Sequence, residues 1–280
     1  MAAPLYAPAV LRLPANPRGR TFVVGDIHGM YDEVLEAMKQ ARFDPERDWL
    51  LACGDLVDRG PGSRRALRFL QQPYLKALRG NHEDMFLCLY EEGSPSQEAL
   101  EFVCSRNGMQ WWLDVAEEER QALVQAFRKL PLAMEVQTPR GLVGLVHGEV
   151  PLGMDWPTFV RNLEQGDART VKACLWGRDR VEGNIQDVVP GVGRIFSGHT
   201  PQDGCVGRYG NMFVVDTGAF LRHTHPDEAR GHLSVAELIL QTSPLLSANP
   251  KVLSDVALYE AGLEPLLLFG ASGAYTPLPA

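Results

Sequence analysis

Residues 21–29 read Thr-Phe-Val-Val-Gly-Asp-Ile-His-Gly, in which a short apolar run ends in a polar cluster bounded by glycines. Two further runs have the same form: Trp49 to Cys53 leads into Gly54-Asp55, and Tyr74 to Leu78 leads into a Gly-Asn-His sequence at 80–82. Apolar runs of four or five residues followed by turn residues predict buried strands. Helical patterns lie between the runs, so this region predicts a β-α-β-α-β unit. Its polar clusters fall at the carboxyl ends of the strands, where open α/β sheets bind ligands.

The composition is that of a globular protein. The chain has 280 residues, of which 45% are hydrophobic, enough for one large domain or two small ones. A formal net charge of -8 excludes binding of nucleic acid or anionic membranes by bulk charge. No apolar run approaches the ~18 residues that span a bilayer, and the N-terminus lacks the positive charge of a secretory signal. The five cysteines contain no C-x-x-C pair. These features predict a cytoplasmic protein with no membrane or nucleic-acid partner.

Helical periodicity replaces the strand pattern from Glu83 to Leu130. Ser94 with Gln97, and Asp114 with Glu117, have the spacing of capping residues ahead of two helices, which predicts a helical insertion. Strand patterns then return and predict a second sheet, in the ranges 132–136, 142–146, 194–196, 212–215 and 233–240.

Two other features leave more than one interpretation open. Trp111 and Trp112, within the insertion, either floor a substrate groove or pack in the core of the insertion. The Leu-rich pieces of the tail from 241 to 280 could pack as short helices, and no function is assigned to them.

Four of the seven histidines lie within two residues of a glycine at the predicted end of a strand: His28, His82, His147 and His199. Glycine at such a place permits a positive φ and a close backbone approach, so a neighbouring side chain can point into a shared cleft. Three more polar residues occupy equivalent places: Asp26, Asp55 and Asn81. Together these residues predict one cleft.

The donor types indicate a metal site. Asp26 and His28 are two residues apart, so in extended backbone their side chains lie on one face and can bind one cation together. Asp55 offers two oxygens and can bridge two cations. An amide and two imidazoles remain for the second cation: Asn81, His147 and His199. Mixed oxygen and nitrogen donors without a thiolate favour a catalytic pair of first-row metals such as Mn²⁺ or Fe over structural zinc.

The charge of such a site indicates what it binds. Two divalent cations, two carboxylates and a bridging hydroxide leave a net charge of about +1, which requires an anionic substrate. Arg59 and Arg178 add planar guanidinium groups suited to bidentate contact with phosphate. The sequence therefore predicts a site for a phosphate monoester dianion.

Five motifs occur in order across residues 25–200. They are Gly25-Asp26-Ile27-His28-Gly29, Gly54-Asp55-Leu56-Val57-Asp58-Arg59-Gly60, Gly80-Asn81-His82-Glu83, His147-Gly148 and Gly198-His199-Thr200. As a set they resemble the motifs of the calcineurin-like metallophosphoesterases. Two further blocks make the chain similar to the Ser/Thr protein phosphatases of bacterial and phage-lambda type: Leu175-Trp176-Gly177-Arg178-Asp179-Arg180 and Val215-Asp216-Thr217-Gly218-Ala219.

The resemblance implies an α/β (α+β) fold in which two mixed β-sheets pack as a sandwich flanked by helices, with the metals at its rim. It implies a catalytic domain over residues 21–240 with the helical insertion at about 83–130. Residues 1–20 are then an N-terminal extension and residues 241–280 a C-terminal tail.

The resemblance also implies roles for single residues. Asp26 and His28 look like ligands of the first metal and Asp55 like the bridge, and the ligands of the second metal would be Asn81, His147 and His199. His82 resembles a general acid held by Asp58, and Arg59 and Arg178 resemble phosphate-binding arginines. The implied cofactor is a pair of divalent metal ions, Mn²⁺ first, with Fe, Zn, Ni or Co as alternatives.

These roles predict a metal-dependent phosphomonoester hydrolase, a Ser/Thr protein phosphatase that attacks phosphorus with a metal-activated hydroxide. The partner would be a phosphorylated protein or a small phosphoester. A symmetrical bis(5'-nucleosyl)-tetraphosphatase or other small-nucleotide hydrolase is an alternative, because such enzymes have equal metal motifs. A non-catalytic binding module on the same fold is the third reading, and the complete ligand set argues against it.

Overall fold

Short apolar runs form strands, and the periodic segments form helices, in the computed structural model of the chain. It describes residues 8–138, 141–203, 205–225 and 231–238, and beyond them the backbone of three strands. The strands are β1 (Val10–Leu13), β2 (Thr21–Val24), β3 (Trp49–Ala52), β4 (Leu75–Ala77), β5 (Ala133–Thr138), β6 (Gly141–Val146), β7 (Arg194–Ser197), β8 (Gly207–Tyr209), β9 (Met212–Val214), β10 (Ser234–Leu238), β11 (Ser254–Glu260), β12 (Leu266–Phe269) and β13 (Tyr275–Pro277). The helices are α1 (Tyr31–Gln40), α2 (Ala66–Leu70), α3 (Asn81–Leu89), α4 (Gln97–Cys104), α5 (Glu117–Phe127), α6 (Trp156–Glu164), α7 (Ala168–Trp176), α8 (Asp179–Glu182) and α9 (Leu221–Thr224), with 3₁₀ turns at Ser63–Arg65 and Gln110–Asp114.

One sheet has the strand order β13-β12-β11-β10-β2-β3-β4. Strands β2, β3 and β4 are parallel neighbours, as the predicted β-α-β-α-β unit requires, and β10 pairs with β2 in the antiparallel direction. The other sheet has the order β1-β5-β6-β7-β9-β8 and is also mixed, with β5 antiparallel to β6 and β7 parallel to both β6 and β9.

The two sheets pack face to face, because their strands send alternate side chains to opposite sides. In β2, Phe22 and Val24 pack against helices, whereas Val23 packs in the core between the sheets. In β7, Phe196 faces that same inner core and Ile195 faces the helices α6 and α7 on the outside. The predicted sandwich of two mixed sheets flanked by helices is confirmed.

The predicted insertion consists of α3, α4 and α5 with the 3₁₀ turn between the last two. Its caps differ from the prediction. Ser96, not Ser94, caps α4 by accepting from the N–H of Ala99 at 3.2 Å, and α5 begins after Ala116 without a side-chain cap. Ser94 has the spacing but donates its hydroxyl to Glu117 instead.

Strands also occur in segments where none was predicted. Strand β1 lies in the predicted N-terminal extension and pairs in parallel with β5. Within the tail the described backbone forms β11, β12 and β13, which continue the sheet beyond β10, whereas the sequence suggested short helices. Pairing with β11 covers the backbone groups that β10 would otherwise leave open at a sheet edge. The domain boundaries at 20 and 240 stay a prediction.

Within the described residues, no helix is both long enough and apolar enough to cross a bilayer.

Candidate active site

The predicted metal-binding residues gather at one rim, since the strands that precede them end there. Asp26 lies two residues after β2 and Asp55 three residues after β3, and both strands belong to the larger sheet. His147 directly follows β6 and His199 lies two residues after β7, in the smaller sheet. Asn81 is the first residue of α3, which starts shortly after β4. The site is therefore built between the two sheets.

The backbone of this rim is strained. Eight non-glycine residues of the described chain have a positive φ, and five of them are predicted site residues: His28, Asp55, Asp58, Arg59 and His199. Left-handed backbone costs roughly 1–2 kcal/mol for a residue with a Cβ, so it persists only where neighbours enforce it. Such clustering is typical of a functional site.

Glu83 enforces the conformation of the Asp55 loop. Its buried carboxylate accepts from the backbone N–H groups of Asp55 at 3.0 Å, Leu56 at 2.8 Å and Gly80 at 2.8 Å. Burial and the nearby Asp55 charge raise the pKa of Glu83 to about 8. The sequence marked this residue as the last of the Gly80-Asn81-His82-Glu83 motif, without a role in holding the Asp55 loop.

Asp55 lies between two histidines. Its Oδ2 is 3.5 Å from Nε2 of His28, and its Oδ1 is 3.4 Å from Nε2 of His147. Oδ1 also accepts from the backbone N–H of His82 at 3.0 Å, which fixes the orientation of the carboxylate. Each oxygen thus faces a different imidazole, the arrangement that a carboxylate needs to bridge two cations.

Two imidazoles turn an unprotonated Nε2 toward this carboxylate, and that of His28 also lies 2.9 Å from Nη1 of Arg59. His28 donates from Nδ1 to the carbonyl of Val57 at 2.8 Å, and His147 donates from Nδ1 to the carbonyl of Cys53 at 2.9 Å. Since Nδ1 carries the proton in each ring, the lone pair on Nε2 faces the site, which is the tautomer that binds a metal.

Several buried acceptor atoms face each other without a donor between them, an arrangement that suits a bound cation. Nε2 of His147 lies 2.8 Å from Oδ1 of Asn81, and two acceptors at that distance are reconciled by a positive ion that both contact. Within the described residues, Oδ2 of Asp26 and Nε2 of His199 are buried and have no hydrogen-bond partner. The residues present therefore fit divalent cations.

Two triads of ligating atoms, each within 4.8 Å, share Asp55. One contains His28 and His82, and the other contains His147 and His199. Asp26, predicted to accompany His28, has its Oδ2 3.8 Å from Nε2 of that ring. Nε2 of His82 lies at the same distance, 3.8 Å, from Oδ2 of Asp55.

The protonation states match metal binding. Burial lowers the pKa of His28 and His147, and burial together with the charges of His147 and Arg178 lowers the pKa of His199 to about 3. Burial alone would raise the pKa of Asp55, but the surrounding imidazoles hold it below its usual range. Burial and the charges of neighbouring carboxylates raise the pKa of Asp26 well above its ordinary value, and a cation bound beside it would lower that pKa.

His82 and Asp58 form a buried pair, with Nδ1 of His82 2.5 Å from Oδ2 of Asp58. Burial acts to lower the pKa of His82, but the carboxylates of Asp55 and Asp58 outweigh it and raise that pKa. An imidazole with a raised pKa holds a proton that it can donate near neutral pH. Oδ1 of Asp58 accepts from Nε1 of Trp111 at 2.7 Å, a contact that the sequence did not predict.

The two predicted arginines reach the site differently. Nη1 of Arg59 lies 2.9 Å from Nε2 of His28, its Nη2 lies 3.1 Å from Nε2 of His82, and its guanidinium lies 4.5 Å from the ring of Phe220. Arg178 is half-buried and donates to Oγ1 of Thr200, the residue after His199, at 3.0 Å. Both guanidinium groups border the histidine cluster.

Glu149 holds the segment after Arg178. Its carboxylate accepts from the backbone N–H of Asp179 at 3.2 Å and of Arg180 at 2.8 Å. The side chain of Arg180 is buried and donates to the carbonyl of Asp187. No sequence signal marked Glu149, because its partners lie 30 and 31 residues away.

Comparison with known proteins agrees with this geometry. Residues 19–211 match the family model for calcineurin-like phosphoesterases. The chain is 32% identical to Serine/threonine-protein phosphatase 1 of Salmonella typhimurium, over 74% of this chain and 90% of that protein. It is 42% identical to the symmetrical bis(5'-nucleosyl)-tetraphosphatase of Klebsiella pneumoniae, over 25% of this chain and 26% of that protein.

A solved structure of a protein serine/threonine phosphatase from Saccharomyces cerevisiae has a TM-score of 0.58 to this chain, at 20% sequence identity. The similarity covers 92% of this chain and 86% of that one, and it concerns the fold alone. The family match, together with buried carboxylates and imidazoles at the rim of a two-sheet sandwich, indicates a hydrolase of phosphoesters. The chain belongs to the calcineurin-like phosphoesterase family.

Proposed function

We propose that the protein is a phosphomonoester hydrolase that removes phosphate from serine or threonine residues of proteins. The observation that carries the proposal is the buried His82–Asp58 pair beside Asp55. A serine or threonine alkoxide is a poor leaving group, so the reaction needs a proton donor as the P–O bond breaks. His82, whose pKa is raised, is placed to give that proton.

In this proposal the cofactor is a pair of divalent cations, with Mn²⁺ as the first candidate. Asp26 and His28 would hold the first cation, Asp55 would be shared by the two, and Asn81, His147 and His199 would hold the second. The chemistry that a bound pair supplies is the activation of water as a nucleophile and the neutralisation of phosphate oxygens. Metal analysis of the purified protein by mass spectrometry tests the identity of the metal.

The chain's own residues complete the reaction. Arg59 and Arg178 orient the phosphate and, together with the metals, neutralise its oxygens, and electrostatic stabilisation of this kind is usually the largest contribution to catalysis. His82 then donates the proton on Nε2 to the leaving oxygen while Asp58 stabilises the ring through Nδ1. In the structure the guanidinium of Arg59 donates to Nε2 of both His28 and His82, so it would move from these nitrogens to the phosphate oxygens when His28 binds a metal and His82 holds the proton.

A groove beside the site supports a substrate larger than phosphate. It has a volume of about 420 Å³ and is lined mostly by apolar side chains, among them Met85, Leu89, Val103 and Trp176. The ring of Trp176, 43% exposed, lies 6.1 Å from that of His199. Such a groove suits the apolar side chains that flank a phosphorylated residue in a polypeptide.

The second candidate function is symmetrical hydrolysis of dinucleoside tetraphosphates. The similarity to the Klebsiella pneumoniae enzyme favours it. There the leaving group is a nucleoside diphosphate, which departs without a strong need for protonation, so the His82–Asp58 pair would have less to do. For this reason we place it second.

A substrate panel separates these candidates. The protein is freed of metal with a chelator, reloaded with Mn²⁺, and assayed on phosphoserine, phosphothreonine and phosphotyrosine peptides and on diadenosine tetraphosphate. We expect the highest kcat/KM on the phosphoserine or phosphothreonine peptides. A higher value on diadenosine tetraphosphate would assign the second function, and full metal occupancy without turnover of any phosphoester would indicate a binding module.

The five cysteines are all free thiols. This state supports the proposal of a reducing compartment such as the cytoplasm.

A further inference from the structure

The helical insertion touches the loop that carries two proposed functional residues. Nε1 of Trp111 donates to Oδ1 of Asp58 at 2.7 Å, and the carbonyl of Gly108 accepts from the backbone N–H of Arg59 at 3.2 Å. Both contacts come from one short segment of the insertion and reach two consecutive residues of the loop. The insertion therefore borders the reaction centre as well as packing on the sheet.

Asp58 and Arg59 need such support because both have left-handed backbone, with φ of 71° and 65°. Within the loop, the N–H of Asp58 donates to Oγ of Ser63 at 2.9 Å, and this hydroxyl donates in turn to the carbonyl of Gly60. These bonds fix the backbone of Asp58 but not its carboxylate. The carboxylate depends on the side chains that face it.

Two donors face that carboxylate, one on each oxygen. His82 donates to Oδ2 and Trp111 donates to Oδ1. Asp58 is fully buried, so without the indole N–H its Oδ1 would be a buried carboxylate oxygen with no donor. The carboxylate would then turn or take up a proton, and in either case it would no longer hold the imidazole of His82 in place.

We propose that Trp111 is a positioning residue for the general acid: its indole N–H fixes the carboxylate of Asp58, which in turn directs the ring of His82 toward the leaving group. This role rests on the proposed function of the site. It gives the insertion a part in the reaction, where the sequence suggested a groove floor or core packing for the two tryptophans.

The neighbouring tryptophan provides a contrast. Trp112 is fully buried, packs on Phe86 with ring centroids 4.3 Å apart, and donates to the hydroxyl of Tyr90 at 3.3 Å. It is the core residue of the insertion and makes no hydrogen bond to the Asp58 loop. Trp111 is half-buried and meets Phe86 at a centroid distance of 6.1 Å. Substitutions of the two adjacent tryptophans can therefore distinguish a positioning role from a packing role.

The dependence of the rate on the leaving group reports this role. An aryl oxide leaves without protonation, whereas a seryl alkoxide needs the acid. A defect in packing slows both reactions alike, but a misplaced acid slows hydrolysis of the alkyl ester more. The ratio of kcat on a phosphoserine peptide to kcat on p-nitrophenyl phosphate should therefore change if Trp111 positions the acid, and stay constant if Trp111 only stabilises the fold.

Trp111→Phe removes the N–H and keeps the aromatic ring. In the Mn²⁺-loaded enzyme we expect kcat on the phosphoserine peptide to fall about tenfold more than kcat on p-nitrophenyl phosphate, as for loss of one hydrogen bond to a charged group. Trp112→Phe is the matched control and should lower the melting temperature without changing the ratio. An unchanged ratio in Trp111→Phe, or the same change in both variants, would overturn the proposal.

A double variant tests whether Trp111 acts through Asp58. In an Asp58→Asn enzyme the acid has already lost its carboxylate, so adding Trp111→Phe should cause little further change in the ratio. Fully additive effects would mean that Trp111 acts by another path, and the proposal would fail.

A spectroscopic measurement makes the test independent of the substrate. The indole N–H resonance of Trp111, assigned by its disappearance in Trp111→Phe, should lie downfield because its acceptor is charged, and it should move upfield in Asp58→Asn. A resonance unaffected by Asp58→Asn would overturn the positioning role even if the enzyme acted on diadenosine tetraphosphate. Absence of wild-type turnover on both monoesters would count against the proposed function alone.

Discussion

Nδ1 of His82 lies 2.5 Å from Oδ2 of Asp58, and both side chains are excluded from solvent. A short bond between an imidazole and a buried carboxylate fixes which nitrogen carries the structural proton. The other nitrogen, Nε2, faces Nη2 of Arg59 at 3.1 Å and Oδ2 of Asp55 at 3.8 Å.

His82→Asn tests that chemistry. Asparagine cannot donate the proton, so we expect kcat on a phosphoserine peptide to fall about 10²- to 10⁴-fold, the range for loss of a general acid, with a smaller loss on an aryl phosphate. Metal content should stay near that of the wild type. Steady-state kinetics on both substrates checks the prediction, and equal losses would falsify the general-acid role.

Asp55→Asn tests the bridge. The carboxylate faces His28 and His147 with separate oxygens, and an amide offers a single oxygen without charge. We expect the variant to lose both metals, as measured by mass spectrometry after gel filtration. Asp32→Asn is the control, since that side chain is exposed and pairs only with Arg65 at 2.8 Å. Retention of two full equivalents by Asp55→Asn would contradict the bridging role.

Gly198→Ala tests whether the backbone places the ligands. A Cβ at this position would lie 2.0 Å from Oδ1 of Asp26, the oxygen that accepts from the N–H of His199 at 2.9 Å. The methyl group must displace Asp26, so we expect weaker metal binding although glycine contributes no ligand. Gly166→Ala, where a Cβ meets nothing within 4 Å but φ is 71°, is the control for a strained alanine away from the site. Equal metal affinity of the two variants, measured by titration calorimetry, would refute the prediction.

The metal-free protein should have a distinctive pH dependence. Burial raises the pKa of Asp216 to about 6, above its unfolded value near 3.8. Between these pH values the unfolded chain releases a proton that the folded chain keeps. This group therefore lowers the free energy of unfolding as pH rises. In Asp216→Asn the contribution is absent. As pH rises from about 4 to about 6, the melting temperature of the metal-free variant should therefore increase relative to that of the metal-free wild type. A constant difference across this window would contradict the raised pKa of Asp216.

The strand ends were predictable because their chemistry is local. An apolar run followed by Gly-Asp or Gly-Asn marks a buried strand and a tight turn at once, so the sequence located β2, β3 and β4 and the polar residues after each. Parallel neighbours then bring those residues to one edge. The structure brings all of these predicted donors to one rim; their roles as ligands stay a proposal.

Contacts that join distant segments could not be predicted in this way. Trp111 and Asp58 are 53 residues apart, and Glu149 and Arg180 are 31 apart. No periodicity links such pairs, because their meeting depends on how the insertion and the loops pack. Strands β1 and β8 were missed for a related reason, since each is short and borders its sheet, where pairing and not local pattern decides the conformation.

The donor set is divided between the two halves of the sandwich. Asp26, His28, Asp55 and Asn81 follow strands of the larger sheet, whereas His147 and His199 follow strands of the smaller one. The second of the proposed cations would therefore cross-link the two layers, which also meet through apolar side chains and through the hydrogen bonds of His147 to Cys53 and of His199 to Asp26. Because binding of this second cation would require both layers in register, we expect it to couple their unfolding, whereas the first cation, with ligands from the larger sheet alone, would not.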